Sequence, residues 1–209
     1  MQTYFRNRLP HIAPVGATFF VTFRLADSLP QTVFQELEAE FLEQKRKLPP
    51  ETDSNYGSEL ARLKEHIFGR YEHQLDEARY GECILENPDA AKILVERLQE
   101  FHNKLYDLKA YCIMPNHVHL IFGILSADGS EREVSSLPKI MQLIKGGSSR
   151  YINQKMGRKG PVWARDYFDR YMRSDQDLDN KVNYLLQNPV KAGLANHWRD
   201  WPWTGCSCP

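Results

Sequence analysis

Between Leu108 and Ile124 the sequence reads as two extended arms about a tight break, and this stretch constrains the fold more than any other. The run Leu108 to Met114 is apolar and β-prone, Pro115-Asn116 is a turn signal, and His117 to Ile124 alternates in character. Successive side chains on a strand point to opposite faces, so Val118, Leu120, Phe122 and Ile124 share one side while His117 and His119 share the other. The apolar side needs a covering layer. The other side brings two imidazoles within reach of a single ion. Two imidazoles rarely complete a metal site, so a third donor has to come from elsewhere in the chain. His-x-His alone fits a pair of hydrogen-bonded histidines at a sheet surface equally well.

A second constellation lies near the C-terminus, in Val182-Asn183-Tyr184-Leu185-Leu186-Gln187-Asn188-Pro189-Val190-Lys191-Ala192-Gly193. The segment from Asp177 predicts a helix, with Ser174 or Asp175 as cap and Pro189 as the stop. At 3.6 residues per turn Tyr184 and Asn188 fall on one face, with Gln187 the neighbouring alternative. A phenol and an amide oxygen are thereby able to meet one partner. Taken alone, Tyr184 reads as well as a core tyrosine, and Asn188-Pro189 as the start of a short helix ended by Gly193.

Together, Pro115-Asn116-His117-Val118-His119-Leu120 and, some sixty residues on, Tyr184 to Leu194 resemble the REP-associated tyrosine transposases, relatives of the single-tyrosine HUH transposases of small insertion sequences. The similarity runs from about Gly16 to Trp203. It takes in Leu75-Asp76, the Asn87-Pro88-Asp89 helix start, Pro161-Val162-Trp163 to Arg173, and Asp200-Trp201-Pro202-Trp203. The resemblance implies an α+β, ferredoxin-like HUH fold: an antiparallel sheet with helices packed on it, here with an inserted acidic helical segment at about 31–80. It makes residues 1–209 a single domain with the tyrosine helix at about 176–188. Carried over by position, it implies that His117 and His119 are metal ligands, that Asn188 is the third, amide ligand, and that Tyr184 is the nucleophile. The implied cofactor is Mg²⁺ or Mn²⁺. The implied reaction is cleavage of hairpin-containing, REP-like single-stranded DNA through a 5′-phosphotyrosine, with strand rejoining as a further capacity and a monomer or homodimer as the working form.

Net charge bears on this reading, because neutralisation of phosphates by Lys and Arg drives nucleic-acid binding. The chain is formally neutral, but its charges are segregated. Gln31 to Glu100 holds 16 acidic residues against 9 basic, and Lys139 to Arg173 holds 9 basic against 2 acidic. The basic segment is interleaved with Tyr151, Trp163, Tyr167, Phe168 and Tyr171. Stacking of an unpaired base on such a ring is worth about 1–3 kcal/mol, although core aromatics beneath a solvated charged face give the same pattern. The resemblance favours DNA contact by Lys145, Ser148 and Arg150, and Arg165 and Arg173 join them as nucleic-acid-binding candidates.

The remaining chain is read in order. Gly16 to Leu25 alternates as a first strand, helices are expected at about Gln31–Lys47 and Ser58–Tyr80, and Asn87-Pro88 caps a third helix ending near His102. The acidic helical pair is expected on the side away from DNA. Ser126 to Ser136 reads as a polar loop, and Leu137 to about Met156 as a helix in which Gly146-Gly147 predicts a kink or a close approach to a ligand. Trp163 to Arg173 is expected to hold a short strand. The four cysteines, Cys83, Cys112, Cys206 and Cys208, show no metal or disulfide spacing. With no signal-like run and no stretch of about 20 apolar residues, the chain reads as soluble, cytoplasmic and nucleoid-associated, with no membrane partner. Two rival functions fit the same motif: a catalytically silent DNA-hairpin-binding protein, and a metal-dependent hydrolase, which the run Leu120-Ile121-Phe122 disfavours by supplying no further acidic or His ligand.

Overall fold

The computed structural model describes residues 16–77, 80–125 and 136–207. In chain order these form β1 (Thr18–Arg24), α1 (Gln31–Lys45), α2 (Tyr56–Asp76), α3 (Pro88–Phe101), β2 (Tyr106–Ile113), β3 (His117–Ile124), α4 (Leu137–Met156), β4 (Phe168–Tyr171), α5 (Asp175–Lys191) and β5 (Thr204–Cys206). The strands make one antiparallel sheet in the order β4-β1-β3-β2-β5. Without β5, the order 4-1-3-2 and the β-α-β-β-α-β succession are those of a ferredoxin-like fold. The expected α+β antiparallel sheet is thus observed. The loop expected at Ser126 to Ser136 lies almost wholly outside the described residues.

β3 is central and buried along all its length. Its even-numbered residues Val118, Leu120, Phe122 and Ile124 join Phe19, Val21 and Phe23 of β1 in one core, covered by Leu94 and Leu98 of α3 and Ile140 and Ile144 of α4. The opposite face carries a second core. Phe20, Ala110, Cys112 and Ile121 pack there against Phe34 of α1, Phe68 and Leu75 of α2, and Leu185 and Leu186 of α5. A bulge between Leu108 and Ala110 reverses the parity of β2, so Leu108 faces the first core while Ala110 and Cys112 face the second. Register then sets Thr22 and Cys112 on either side of His119.

Local signals account for the helices that frame this sheet. Pro88 at the first turn and the Asn87 side chain, accepting the Asp89 N–H at 2.9 Å, start α3. Ser174 caps α5 by accepting the Asp177 N–H at 3.2 Å. The stop differs from the expected one: α5 continues through Pro189 to Lys191. Pro189 sits in the last turn, where its missing N–H removes a single bond, and Gly193, at φ +70°, supplies the left-handed residue that ends the helix. The glycines of α4 do not interrupt it. Gly147 instead gives room to Arg97 of α3, whose guanidinium a Cβ there would strike and whose Nη2 donates to the Leu143 carbonyl at 3.0 Å. The close approach predicted at this point is therefore made by a neighbouring helix. Among the described residues no helix is long and apolar enough to cross a membrane.

Candidate active site

The loop between β2 and β3 fixes the first imidazole. Asn116, almost fully buried, accepts a hydrogen bond from His117 Nδ1 at 2.7 Å and donates through Nδ2 to the Leu75 carbonyl at 2.9 Å. One turn amide thereby ties the histidine to the end of α2. The second imidazole is held from β1. His119 Nδ1 lies 2.8 Å from Thr22 Oγ1, and that hydroxyl in turn donates to Glu72 Oε1 at 3.3 Å. With each Nδ1–H committed to an oxygen, both Nε2 atoms keep their lone pairs, and these converge at 3.0 Å.

Both rings are wholly buried. Burial holds His117 neutral, with its pKa lowered to about 3, and keeps His119 well below the usual imidazole range, with His117 and Lys181 adding to the effect. Two facing lone pairs in a dry interior need a proton or a cation between them. Nitrogens 3.0 Å apart with both lone pairs turned inward are able to face a single ion together.

α5 brings Tyr184 to the same place. Its ring centroid is 6.1 Å from that of His119, within its own chain. Its hydroxyl donates to Glu72 Oε2 of α2. Burial first, and Glu72 second, raise the phenol well above its ordinary pKa. Burial likewise raises Glu72 to about 8, against the pull of the Tyr184 hydroxyl and Lys181. Asn188, one turn on, is fully buried and stands beside the Tyr184 hydroxyl, whose raised pKa it offsets slightly, but neither amide atom makes a hydrogen bond of normal geometry; Gln187 is exposed. Of the two amides considered at this position, Asn188 is the one on the buried side.

Several site residues were not foreseen. The helix pair expected on the side away from DNA has its second member, α2, against the very face that carries the imidazoles, where it presents Glu72 and Asp76. Asp76 Oδ1 is 3.6 Å from His117 Nε2 and has no hydrogen-bond partner. Burial raises this carboxyl to about 6. Lys181 and Lys191 lie with their ammoniums 5.1 and 4.6 Å from the Tyr184 ring centroid. Spacings of 3, 4 and 3 residues put Lys181, Tyr184, Asn188 and Lys191 on one helical face, a pattern available in the sequence.

Among the described residues no three His, Cys, Asp or Glu side chains already cage a point. The converging nitrogens, the Asn188 amide oxygen and the Asp76 oxygen without a partner are the atoms able to hold a divalent ion.

The basic segment fares unevenly. Ser148 is a correction: it is fully buried, donates to the Ile144 carbonyl at 2.7 Å and accepts from Trp163 Nε1 at 2.9 Å, so it is a core residue with no group to offer DNA. Lys145 is half-buried, donates to the Arg165 and Asp166 carbonyls at 3.0 and 3.2 Å, and has its pKa lowered by burial to about 8, which marks it as a clamp on that loop. Arg150, Arg165 and Arg173 are exposed. Other cations of the segment are engaged: Lys155 with Asp89 at 3.3 Å, Arg158 with Glu82, and Arg170 with Glu65 and Asp177. Of the aromatics, Trp163 packs on Phe23 and Phe168 on Phe68, while Tyr151 and Tyr171 are open to solvent.

Known proteins match parts of this chain. A Haemophilus influenzae protein assigned as a REP-associated tyrosine transposase is 29% identical over 102 residues, 47% of this chain and 58% of the relative. The REP-associated tyrosine transposase of Escherichia coli is 23% identical over 99 residues, 47% of this chain and 53% of the relative. The match thus spans a little over half the length of these curated relatives. A solved REP-associated tyrosine transposase bound to a REP hairpin aligns with 91% of this chain and 77% of its own, at 18% identity and a TM-score of 0.42. Residues 79–188, more than half of the chain and inclusive of both histidines, Tyr184 and Asn188, match the family described as Transposase IS200 like, and the protein belongs to that family.

Proposed function

We propose that the protein cleaves hairpin-containing single-stranded DNA by direct attack of Tyr184, with His117, His119 and Asn188 holding Mg²⁺ or Mn²⁺. The observation that carries this reading is the Tyr184 hydroxyl, bonded to Glu72 at the end of a hydrogen-bonded line that runs through Thr22 to His119. A phenol, a proton acceptor and a pair of free imidazole nitrogens therefore converge within one chain. The bound ion supplies Lewis-acid polarisation of the scissile phosphate.

Tyr184 Oη attacks phosphorus and forms the tyrosyl ester as the phosphorus bond to the 3′-oxygen breaks, leaving a 5′-phosphotyrosine and a free 3′-OH. The phenolic proton passes to ionised Glu72 Oε2, and the departing 3′-oxygen takes a proton from water to become the 3′-OH. Burial raises this carboxyl well above the usual range, so once ionised it is a stronger base than an ordinary carboxylate, and cleavage should rise as pH increases from about 6 to 8. Lys181 and Lys191 flank the ring and offset the charge of the incoming phosphate. Arg150, Arg165 and Arg173 contact the strand from outside the site. The ester retains the bond energy, so the 3′-OH is able to attack it and rejoin strands without a nucleotide cofactor.

Incubation with a single-stranded DNA hairpin and Mn²⁺ should yield an SDS-stable protein–DNA adduct in the wild type and none in Tyr184→Phe. Cleavage without an adduct would favour a hydrolase, and a mobility shift without cleavage would favour a silent hairpin binder. An adduct persisting in Tyr184→Phe would overturn the choice of nucleophile.

A further inference from the structure

We propose that Asp76 is a carboxylate ligand of the divalent cation, supplied by α2 rather than by the hairpin or the tyrosine helix. The inference rests on the reading of His117 and His119 as a metal pair and adds a charged oxygen to it. Asp76 Oδ1 lies 3.6 Å from His117 Nε2, the atom whose lone pair meets His119 Nε2 at 3.0 Å. The same oxygen is shielded from water and accepts no hydrogen bond. A buried polar atom without a partner is rare and costly enough to require an explanation.

Two structural explanations fail on geometry. Asp76 is the last residue of α2, where a carboxylate faces the negative end of the helix and works against it, so it does not stabilise that terminus. Nor does it hold a turn or a neighbouring backbone N–H through Oδ1, which receives nothing. Its position is nonetheless controlled. The adjoining Leu75 carbonyl accepts from Asn116 Nδ2, and Asn116 Oδ1 accepts from His117 Nδ1, so one side chain sets the registry between the carboxylate and the imidazole. His73 and Lys191 add positive potential around it. Neither supplies the missing contact.

The chemistry of the donor set points the same way. Two imidazoles and an amide are all neutral, whereas Mg²⁺ and Mn²⁺ are hard ions held through carboxylates. Asp76 gives the site its negative charge. The gap of 3.6 Å is slightly wider than the 3.0 Å between the two nitrogens, so binding requires Asp76 to draw in toward the imidazoles.

The test is Mn²⁺ binding by the full-length chain after chelator treatment, read from the electron paramagnetic resonance signal of free Mn²⁺. Asp76→Asn should weaken binding about tenfold or more, since even outer-sphere partners of a metal site contribute about 10–100-fold. Circular dichroism and urea unfolding in chelator should show the variant folded. Wild-type Mn²⁺ affinity in a folded Asp76→Asn protein would overturn the proposal.

In a background from which the four native cysteines are removed, Asp76→Cys gives an independent reading by gain of signal: a thiolate-to-Cd²⁺ ultraviolet charge-transfer band should appear that the background protein lacks, and its absence would overturn the ligand assignment. Wild-type protein that binds no Mn²⁺ would remove this inference together with the metal part of the proposed function. Asp76-dependent Mn²⁺ binding without any DNA adduct would sustain the ligand and remove only the transposase reaction.

Discussion

The two faces of β3 are equally hidden from water, yet they do opposite things. Val118, Leu120 and Phe122 are 0% exposed on one side, and His117 and His119 are 0% exposed on the other. The first set packs in an apolar core with side chains of β1, β2, α3 and α4. The second meets a line of polar atoms whose outermost members, Asp76 Oδ1 and the Asn188 amide, make no hydrogen bond of normal geometry. Burial therefore does not separate packing from function in this sheet. What separates them is whether the buried polar atoms are satisfied, because an unsatisfied one costs about 1–3 kcal/mol and persists only if something outside the fold completes it.

The largest effect should come from the apolar face. Leu120→Ala removes a fully buried side chain from the central strand, and such truncations cost about 2–5 kcal/mol. Urea unfolding should show that loss with an unchanged m-value, while Mn²⁺ affinity at 10 °C stays at wild type. A fall in Mn²⁺ affinity in the folded variant would mean that the two faces are coupled and the contrast is false.

The next effect distinguishes the faces by pH, in metal-free protein. Glu72 has its folded pKa raised to about 8 from an ordinary 4.5, so its contribution is fully present below about pH 4.5 and is lost as pH rises through 8. His117 runs the other way: with its folded pKa lowered to about 3, its contribution is present above about pH 6.5 and is lost as pH falls toward 3. Wild-type stability in chelator should thus drop between pH 6 and pH 9 by about 2–3 kcal/mol through Glu72. Glu72→Gln should flatten that limb and leave the acid limb intact. An equal drop in both proteins would show that Glu72 is not the group that titrates.

This contrast also explains what the sequence disclosed and what it withheld. The hairpin was legible because a period of two in His117 to Ile124 fixes both faces at once, and the tyrosine helix because Ser174, Tyr184 and Asn188 sit at helical spacing. Glu72 was not legible, and Asp76, although it falls within the resemblance, received no role in the site from it. In α2 they stand among Glu59, Glu65, Arg70 and His73, and nothing in a helical pattern marks which carboxylates turn inward to a sheet that has not yet been placed. Ser148 failed for the converse reason. A Ser flanked by Lys145 and Arg150 reads as a phosphate contact, yet helical geometry turns it toward Trp163. Three-residue β5 carries too little pattern to be recognised, and Pro189 misled because its effect depends on how few turns follow it.

A third effect, of the opposite sign, belongs to Asn188. Neither of its buried amide atoms makes a hydrogen bond of normal geometry, although the amide stands beside the Tyr184 hydroxyl, so Asn188→Leu should stabilise the metal-free chain by about 1 kcal/mol. The same change should weaken Mn²⁺ binding. The outcome that would sink the contrast is a destabilised variant, since that would mean the amide is satisfied in solution and the site face is ordinary core.

The smallest effect carries the distinction to the surface, where satisfied and unsatisfied cations stand side by side. Lys155 is held by Asp89 at 3.3 Å, whereas Arg165 and Arg173 are exposed and engage no acidic side chain among the described residues. A cation already neutralised within the protein releases few counterions when a strand binds, but a free one adds about 0.7 to the slope of log affinity against log salt on single-stranded DNA. Arg165→Ala and Arg173→Ala should each lower that slope by about 0.7, while Lys155→Ala leaves it near the wild-type value. Because the readout is a slope rather than an affinity, it is insensitive to small changes in stability. Equal slopes in all three variants would show that pairing within the chain does not decide which charges the DNA meets.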